Sequence, residues 1–257
     1  MVDFVVKDKD GNPITDWRGW TRPKKASQWR AGRSAMELAR AWFTAAKPRC
    51  PTEIADLLAT HPSTAGLELS EAYPEYVTSL PERGEGRNHD LLIIGSGPAG
   101  RAVVSVEAKA DEPFGDETVG SYLIKATRSN TPTNAPKRIE TLTSLVFGPT
   151  AVPDKDPWHG LRYQLLTAVA GAAIEASRRQ ADTAVVIIHE FLTQDMDAEK
   201  IRANAEDLDL FVTTLLGAAT SGGNAGRLQG PAVLEPSPHL SRRVAVLMGK
   251  AVFDWQV

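Results

Sequence analysis

Asp90-Leu91-Leu92-Ile93-Ile94-Gly95-Ser96-Gly97-Pro98-Ala99-Gly100-Arg101-Ala102-Val103-Val104-Ser105-Val106-Glu107-Ala108-Lys109 is the stretch whose reading decides the fold. An apolar run precedes a break rich in glycine and proline, and a β-branched run follows it. Short apolar runs bounded by turn residues read as buried strands, and Gly with Pro is what a tight turn uses. The stretch is predicted as an antiparallel hairpin with its turn centred between Gly97 and Pro98. Side chains alternate faces along a strand. Val103, Ser105, Glu107 and Lys109 therefore share one face, and Ala102, Val104, Val106 and Ala108 the other. This centre puts Asp90 near Ser105, one alternate step from Glu107. Asp90, Glu107 and Lys109 are then within reach of one another at the open end of the hairpin.

Residues 90–100 also resemble a flavin-type dinucleotide fingerprint, a buried strand followed by G-x-G-x-x-G. In that motif the glycines let a helix N-terminus approach a pyrophosphate. Three features weigh against it. The run Arg101–Val106 is β-branched and reads as strand, where a helix is required. The strand-like segment 120–125 ends in Lys125, where an acidic residue is wanted for the ribose. The rest of the crossover would have to come from a long irregular region. A flavin or nicotinamide site at Gly95–Gly100 is kept as the third functional reading.

Outward from the hairpin, the pattern gives an order of elements. Residues 2–17 read as a hairpin around Asp10-Gly11-Asn12-Pro13. Residues 27–46 read as a helix with Ser27 as N-cap and an apolar face of Trp29, Met36, Ala39 and Phe43. Residues 51–61 form a short helix stopped by Pro62. Residues 68–80 hold an extended segment, and 81–88 a charged loop. Residues 110–156 look irregular, with Tyr122-Leu123-Ile124 as a strand candidate. Residues 157–179 form the clearest helix, whose Ala and Gly allow close packing. A buried strand at 184–188, a helix at 197–216, a glycine-rich loop at 221–226 and a strand at 243–252 complete the chain. The fold class is α/β: a mixed central β-sheet flanked by helices, in one domain over 1–257, with a basic hairpin-and-helix extension at 1–50 ahead of a core at 51–257.

Composition narrows the functional classes. No apolar run reaches the ~18 residues of a membrane span. The start Met1-Val2-Asp3-Phe4 lacks the pattern of a signal peptide. Cytoplasmic location and no membrane partner are expected. A lone Cys50 excludes an intrachain disulfide or a Cys-based metal site. His61, His159, His189 and His239 show no ligand spacing, so zinc is not expected. Neither a G-x-S-x-G nor a P-loop is present. The net charge is −3, but residues 1–50 hold eleven Lys/Arg against five Asp/Glu, +6, which leaves −9 for the remainder. That basic arm either touches phosphates or is a solvated helix face. Trp17, Trp20 and Trp29 lie within it and serve either base stacking or packing.

Two carboxylates and a lysine at a sheet end suit phosphodiester chemistry. Asp90 and Glu107 offer hard oxygen ligands for Mg²⁺ (or Mn²⁺), and the Ala108 carbonyl another. Lys109 can orient or deprotonate a water or neutralise the pentacovalent phosphate. Asp90, the strand and turn, and Val106-Glu107-Ala108-Lys109 together resemble the PD-(D/E)xK phosphodiesterase superfamily, the restriction-endonuclease-like fold, over residues 50–190. The resemblance implies Asp90 and Glu107 as metal ligands, Lys109 as catalytic lysine, and nucleic acid, DNA first, as partner. A homodimer is left open. The resemblance also implies a glutamine on the following helix, matched by Gln164, which otherwise faces solvent. An upstream glutamate is matched weakly by Glu53. His89 precedes Asp90 where the family has Pro, and 110–156 is longer than the family's connection. Asp111 and Glu112 are loop charges or electrostatic neighbours of the metal. Glu82 and Glu85 belong to a solvated loop. The leading functional reading is a Mg²⁺-dependent nuclease. The second is a non-catalytic binding protein on the same fold.

Overall fold

The computed structural model describes residues 4–23, 26–44, 47–110, 112–129, 132–193, 197–217 and 225–254. Residues 2 and 3 of the expected hairpin, 45 and 46 of the expected helix, Asp111, and 221–224 of the expected loop lie outside them.

The elements run β1 (Val5–Lys7), β2 (Pro13–Ile14), α1 (Ser34–Trp42), α2 (Thr52–Ala59), β3 (Glu68–Thr78), β4 (Arg87–Gly97), β5 (Gly100–Lys109), α3 (Val119–Thr127), α4 (Ala135–Phe147), α5 (Tyr163–Arg178), β6 (Thr183–Leu192), α6 (Ala198–Leu216), β7 (Gln229–Leu234) and β8 (Val244–Asp254). Among the described residues the eight strands join one mixed sheet in the order β2-β1-β3-β4-β5-β6-β8-β7. β5, β6 and β8 run parallel in its centre, while β3, β4 and β5 are antiparallel neighbours. The class is therefore α/β, as the alternation of apolar runs and helical stretches implied.

Each sheet face has its own core. On one, Leu92, Val103, Val186 and Val246 meet Leu165 and Val169 of α5, Ile139 and Leu142 of α4, and Phe211 of α6. On the other, Leu91, Val104, Val185 and Leu247 meet Leu38 and Trp42 of α1 and Ile54 and Leu57 of α2. Buried on both sides, the central strands read as continuous apolar runs.

Four sequence expectations need correction. Residues 110–156 are not irregular, and Tyr122-Leu123-Ile124 is not a strand: the region carries α3 and α4. A capping box starts α3, with the Thr118 hydroxyl accepting from Ser121 N at 3.1 Å and the Ser121 hydroxyl accepting from Thr118 N at 2.8 Å. Packing then overrides the β propensity of the tripeptide, and Tyr122 meets Tyr163 of α5 edge-on at 4.8 Å. The helix expected over 27–46 is only α1, because Gly32 at φ 78 breaks the chain ahead of Ser34. The helix expected from 157 begins at Tyr163, after a short 3₁₀ turn at Trp158–Gly160. The edge strand β7 had no strong apolar signal and is an addition. Among the described residues, no helix is long and apolar enough to cross a membrane.

Candidate active site

The β4–β5 hairpin forms as expected, but its turn is centred between Pro98 and Ala99, with Gly97 opposite Gly100. Partners therefore shift by two residues, pairing Leu92 with Ser105. An even shift preserves the faces, so Glu107 and Lys109 stay together. Simple alternation fails, however, at Asp90. Leu91 packs on the α1/α2 face and Leu92 on the α5 face. His89 nonetheless reaches the α5 face as well, bonding Ser105 at 2.6 Å. The neighbouring strand is irregular at the same level: Tyr73 pairs with Leu92 and Tyr76 with His89, and both tyrosines pack on the α5-side core. Between them Glu75 has φ 53. Such irregularities re-aim side chains. Here Asp90 turns toward β5, and its Oδ2 accepts the Ala108 amide at 2.8 Å.

Glu107 is the hub. Its Oε1 accepts from Lys109 Nζ at 2.8 Å and from the Gln164 amide on α5, and its Oε2 accepts from Arg87. Lys109 Nζ also approaches Gln164 Oε1 at 3.4 Å and lies 5.2 Å from the centre of the Phe114 ring. Arg87, Glu107 and Lys109 are all buried. Burial alone would raise the Glu107 carboxyl, but the Arg87 and Lys109 cations outweigh it and hold it down, at about 2. Asp90 goes the other way: burial first, then repulsion from Glu107 and Glu75, raise it well above the usual carboxylate range. Glu75 is raised by its own burial and accepts from Asn88 Nδ2 at 2.6 Å. One ionised carboxylate thus sits beside two that resist ionisation.

These groups open on a cleft of about 800 Å³ whose walls include Arg30, Arg33, Glu75, Asp90, Lys109 and Gln164. The four residues expected from the sequence, Asp90, Glu107, Lys109 and Gln164, all line it. So does Glu112, which bonds the Ser34 hydroxyl at the start of α1. Glu53 does not belong here. It sits on α2, on the opposite sheet face, where its Oε1 meets His189 Nε2 at 2.8 Å. His89 takes the structural role: both ring nitrogens are bonded, to Ser105 and to Thr78, and the ring is fully buried. Arg87, Glu75 and Asn88 are additions. Arg87 and Asn88 fell inside an expected loop, and nothing local marked their pairing. Trp17 and Trp29 carry Arg18, Arg40 and Arg22 over their rings, and Trp20 is buried against Phe43.

Hard carboxylate oxygens at Asp90 and Glu107, crowded enough to repel, are the donor set a divalent cation relieves. Among the described residues, no group of three or more His, Cys, Asp or Glu side chains is arranged to hold a metal. A cation here would have two protein carboxylates at most, which suits Mg²⁺ with its retained waters. The glycines of 95–100 hold a turn that runs straight into β5, without the helix N-terminus a pyrophosphate needs. A Cβ on Gly97 would also lie 3.1 Å from the Leu67 backbone.

Close helix packing holds the site in place. A Cβ on Gly171 of α5 would lie 2.9 Å from Arg87 Cγ and 3.1 Å from His89 Cε1. Gly→Ala inside a helix ordinarily stabilises by ~1 kcal/mol. Gly171→Ala is expected instead to cost about 1–3 kcal/mol through overpacking, read as a lower urea midpoint. A midpoint at or above wild type would mean that Arg87 has room to move.

Fold and site together define an α/β protein with a mixed eight-stranded sheet and an Asp-Glu-Lys-Gln cluster, buried at Glu107 and Lys109 and half-buried at Asp90 and Gln164, open to a cleft. The chain belongs to the family described as Domain of unknown function (DUF6946), whose model matches residues 12–251. No curated protein and no solved structure matches it.

Proposed function

We propose that the protein is a Mg²⁺- or Mn²⁺-dependent nuclease, acting in the cytoplasm on phosphodiester bonds of nucleic acid, DNA in the first instance. The observation that carries this reading is the convergence of Asp90, Glu107, Lys109 and Gln164, from two strands and a helix, on one cleft. The resemblance of this set to the restriction-endonuclease-like pattern supports the same reading. Asp90 and Glu107 would hold the cation. When bound, it would lower the pKa of a coordinated water and stabilise charge on a phosphoryl oxygen. Arg87 and Lys109 keep Glu107 ionised. Gln164 bridges Glu107 and Lys109 and so fixes both side chains. The Lys109 ammonium has three hydrogens. Two are directed to Glu107 and Gln164, which leaves one for a water or a phosphate oxygen in the cleft. Buried from bulk solvent, that positive charge acts strongly on a developing oxyanion.

Incubation with labelled oligonucleotides in Mg²⁺ or Mn²⁺ is expected to give cleavage that EDTA abolishes. Lys109→Ala should lower kcat by roughly 10²–10³, the scale of one lost electrostatic donor. One observation favours a non-catalytic binding protein: Glu107 is already neutralised by Arg87 and Lys109. Calorimetric titration separates the two. Mn²⁺ binding that disappears in Glu107→Gln supports the nuclease, whereas no metal uptake and no cleavage favour the binding protein.

A further inference from the structure

A second cleft, of about 550 Å³, meets the first at Asn88, Asp90 and Gln164. Its walls include Arg83, Gly84, Tyr122 and Tyr163. We infer that this cleft seats an unpaired nucleobase, so that the nucleic acid taken by the site is single-stranded. The inference rests on the nuclease reading for the position of the phosphate backbone.

The wall of this cleft is built with unusual investment. Arg138 is 8% exposed, and among the described residues no ion pair to a carboxylate holds its guanidinium. It donates to three backbone carbonyls of one loop: Pro81 O at 3.1 Å, Glu82 O at 3.0 Å and Glu85 O at 2.6 Å. The loop it fastens holds Glu82 at φ 63 and Gly84 at φ 152. A Cβ on Gly84 would lie 2.7 Å from Arg138 Nη2, so the loop is moulded onto the guanidinium. A loop with left-handed residues, clamped by a buried arginine, forms a fixed wall, and strain of this kind gathers at binding sites. The same cleft is lined by Tyr122 and Tyr163, both half-buried and in edge-to-face contact, and Tyr163 also meets Arg138.

Size and chemistry then select the occupant. The volume falls within the ~300–1,000 Å³ typical of small-molecule sites, and suits one base with its sugar. Single-stranded nucleic acid is bound where a basic groove tracks the phosphates and aromatic rings take the bases. The first cleft supplies Arg30 and Arg33, the second the tyrosine pair, and Asp90 lies where the two join. A base inside a duplex has both faces covered by its neighbours and must be flipped out to enter the cleft, whereas an unpaired one enters and stacks without that cost.

The test uses the full-length protein in EDTA and fluorescence anisotropy of short labelled oligonucleotides, DNA and RNA, each as single strand and as duplex. The expected result is at least tenfold tighter binding of a single strand, DNA or RNA, than of its duplex. Tyr122→Ala should weaken that binding by roughly tenfold, the scale of one lost stacking contact, while Tyr122→Phe retains it. Equal or tighter duplex binding, an unchanged Tyr122→Ala, or no binding of any strand overturns the inference. Cleavage of duplex without single-strand preference overturns it while leaving the nuclease reading standing. Single-strand binding that is lost in Tyr122→Ala, with no cleavage in Mg²⁺ or Mn²⁺, supports it and removes the nuclease reading.

Discussion

Glu107→Ala is expected to lower folding stability by about 3–5 kcal/mol, the cost of breaking a buried ion pair from one side, and to abolish metal-dependent cleavage. The substitution leaves Arg87 and Lys109 buried, with their shared counter-ion gone. It also frees the Gln164 amide that Glu107 accepts. Arg87 already has one buried nitrogen, Nε, without a partner, so it has little left to hold it. Urea unfolding at neutral pH reads the effect. Adding Arg87→Met to Glu107→Ala should recover part of the loss, because removing both charges is far cheaper than removing one. A single substitution that costs less than about 1 kcal/mol, the range of exposed pairs, would mean that the two cations reach water. Glu107→Gln keeps the shape and is the variant for activity, where loss of cleavage with a folded protein is the expected outcome. The same group carries a pH signature. Its folded carboxyl is at about 2, below the ordinary 4.5. Its stabilisation is therefore complete above 4.5 and is lost as pH falls from there toward 2.

The second large effect is acid lability from His89. Burial pushes its imidazole down to about 3, with Arg87 adding to the shift. The unfolded chain takes up this proton near 6.5, while the folded chain does not until about 3. Stability is expected to fall as pH drops below 6.5, by about 1.4 kcal/mol per unit for such a group. His189 acts in the same direction, since burial lowers it against the pull of Glu53. Asp90 opposes both. Its folded carboxyl takes a proton at higher pH than the unfolded one, so protonation favours the folded state as pH falls through that raised value. Urea midpoints at pH 7, 6 and 5 for wild type and His89→Gln check the sign. The variant should be less stable at pH 7, having lost its fit to Ser105 and Thr78, but its midpoint should vary less with pH. Parallel pH profiles for the two proteins would remove His89 as the cause.

Features under local chemical control were legible in the residues themselves. Glycine and proline at 95–100 specify a turn, the flanking β-branched runs specify two strands, and period-2 alternation puts Glu107 and Lys109 side by side. Helical periodicity found α5 and with it Gln164, and it found α6, which the Asp197 side chain caps by accepting from Glu199 N. These features depend on neighbours a few residues apart. The remaining features come from packing between distant segments. Register across the turn depends on which pairing buries the apolar set best. Displacement of the turn by one residue moves every partner by two without changing a single face. The break in alternation at Asp90 comes from β3, whose Glu75 is strained at the same level. Arg87 reads as a loop charge until α5, with Gly171 in place of a larger residue, leaves room for it beside Glu107. Glu53 reads as a ligand candidate until α2 is seen to pack on the far face. α3 and α4 are held by contacts with α5 that lie outside any local window. In each case the deciding energy is burial between segments far apart in sequence, and a linear pattern carries no record of which face another segment will cover.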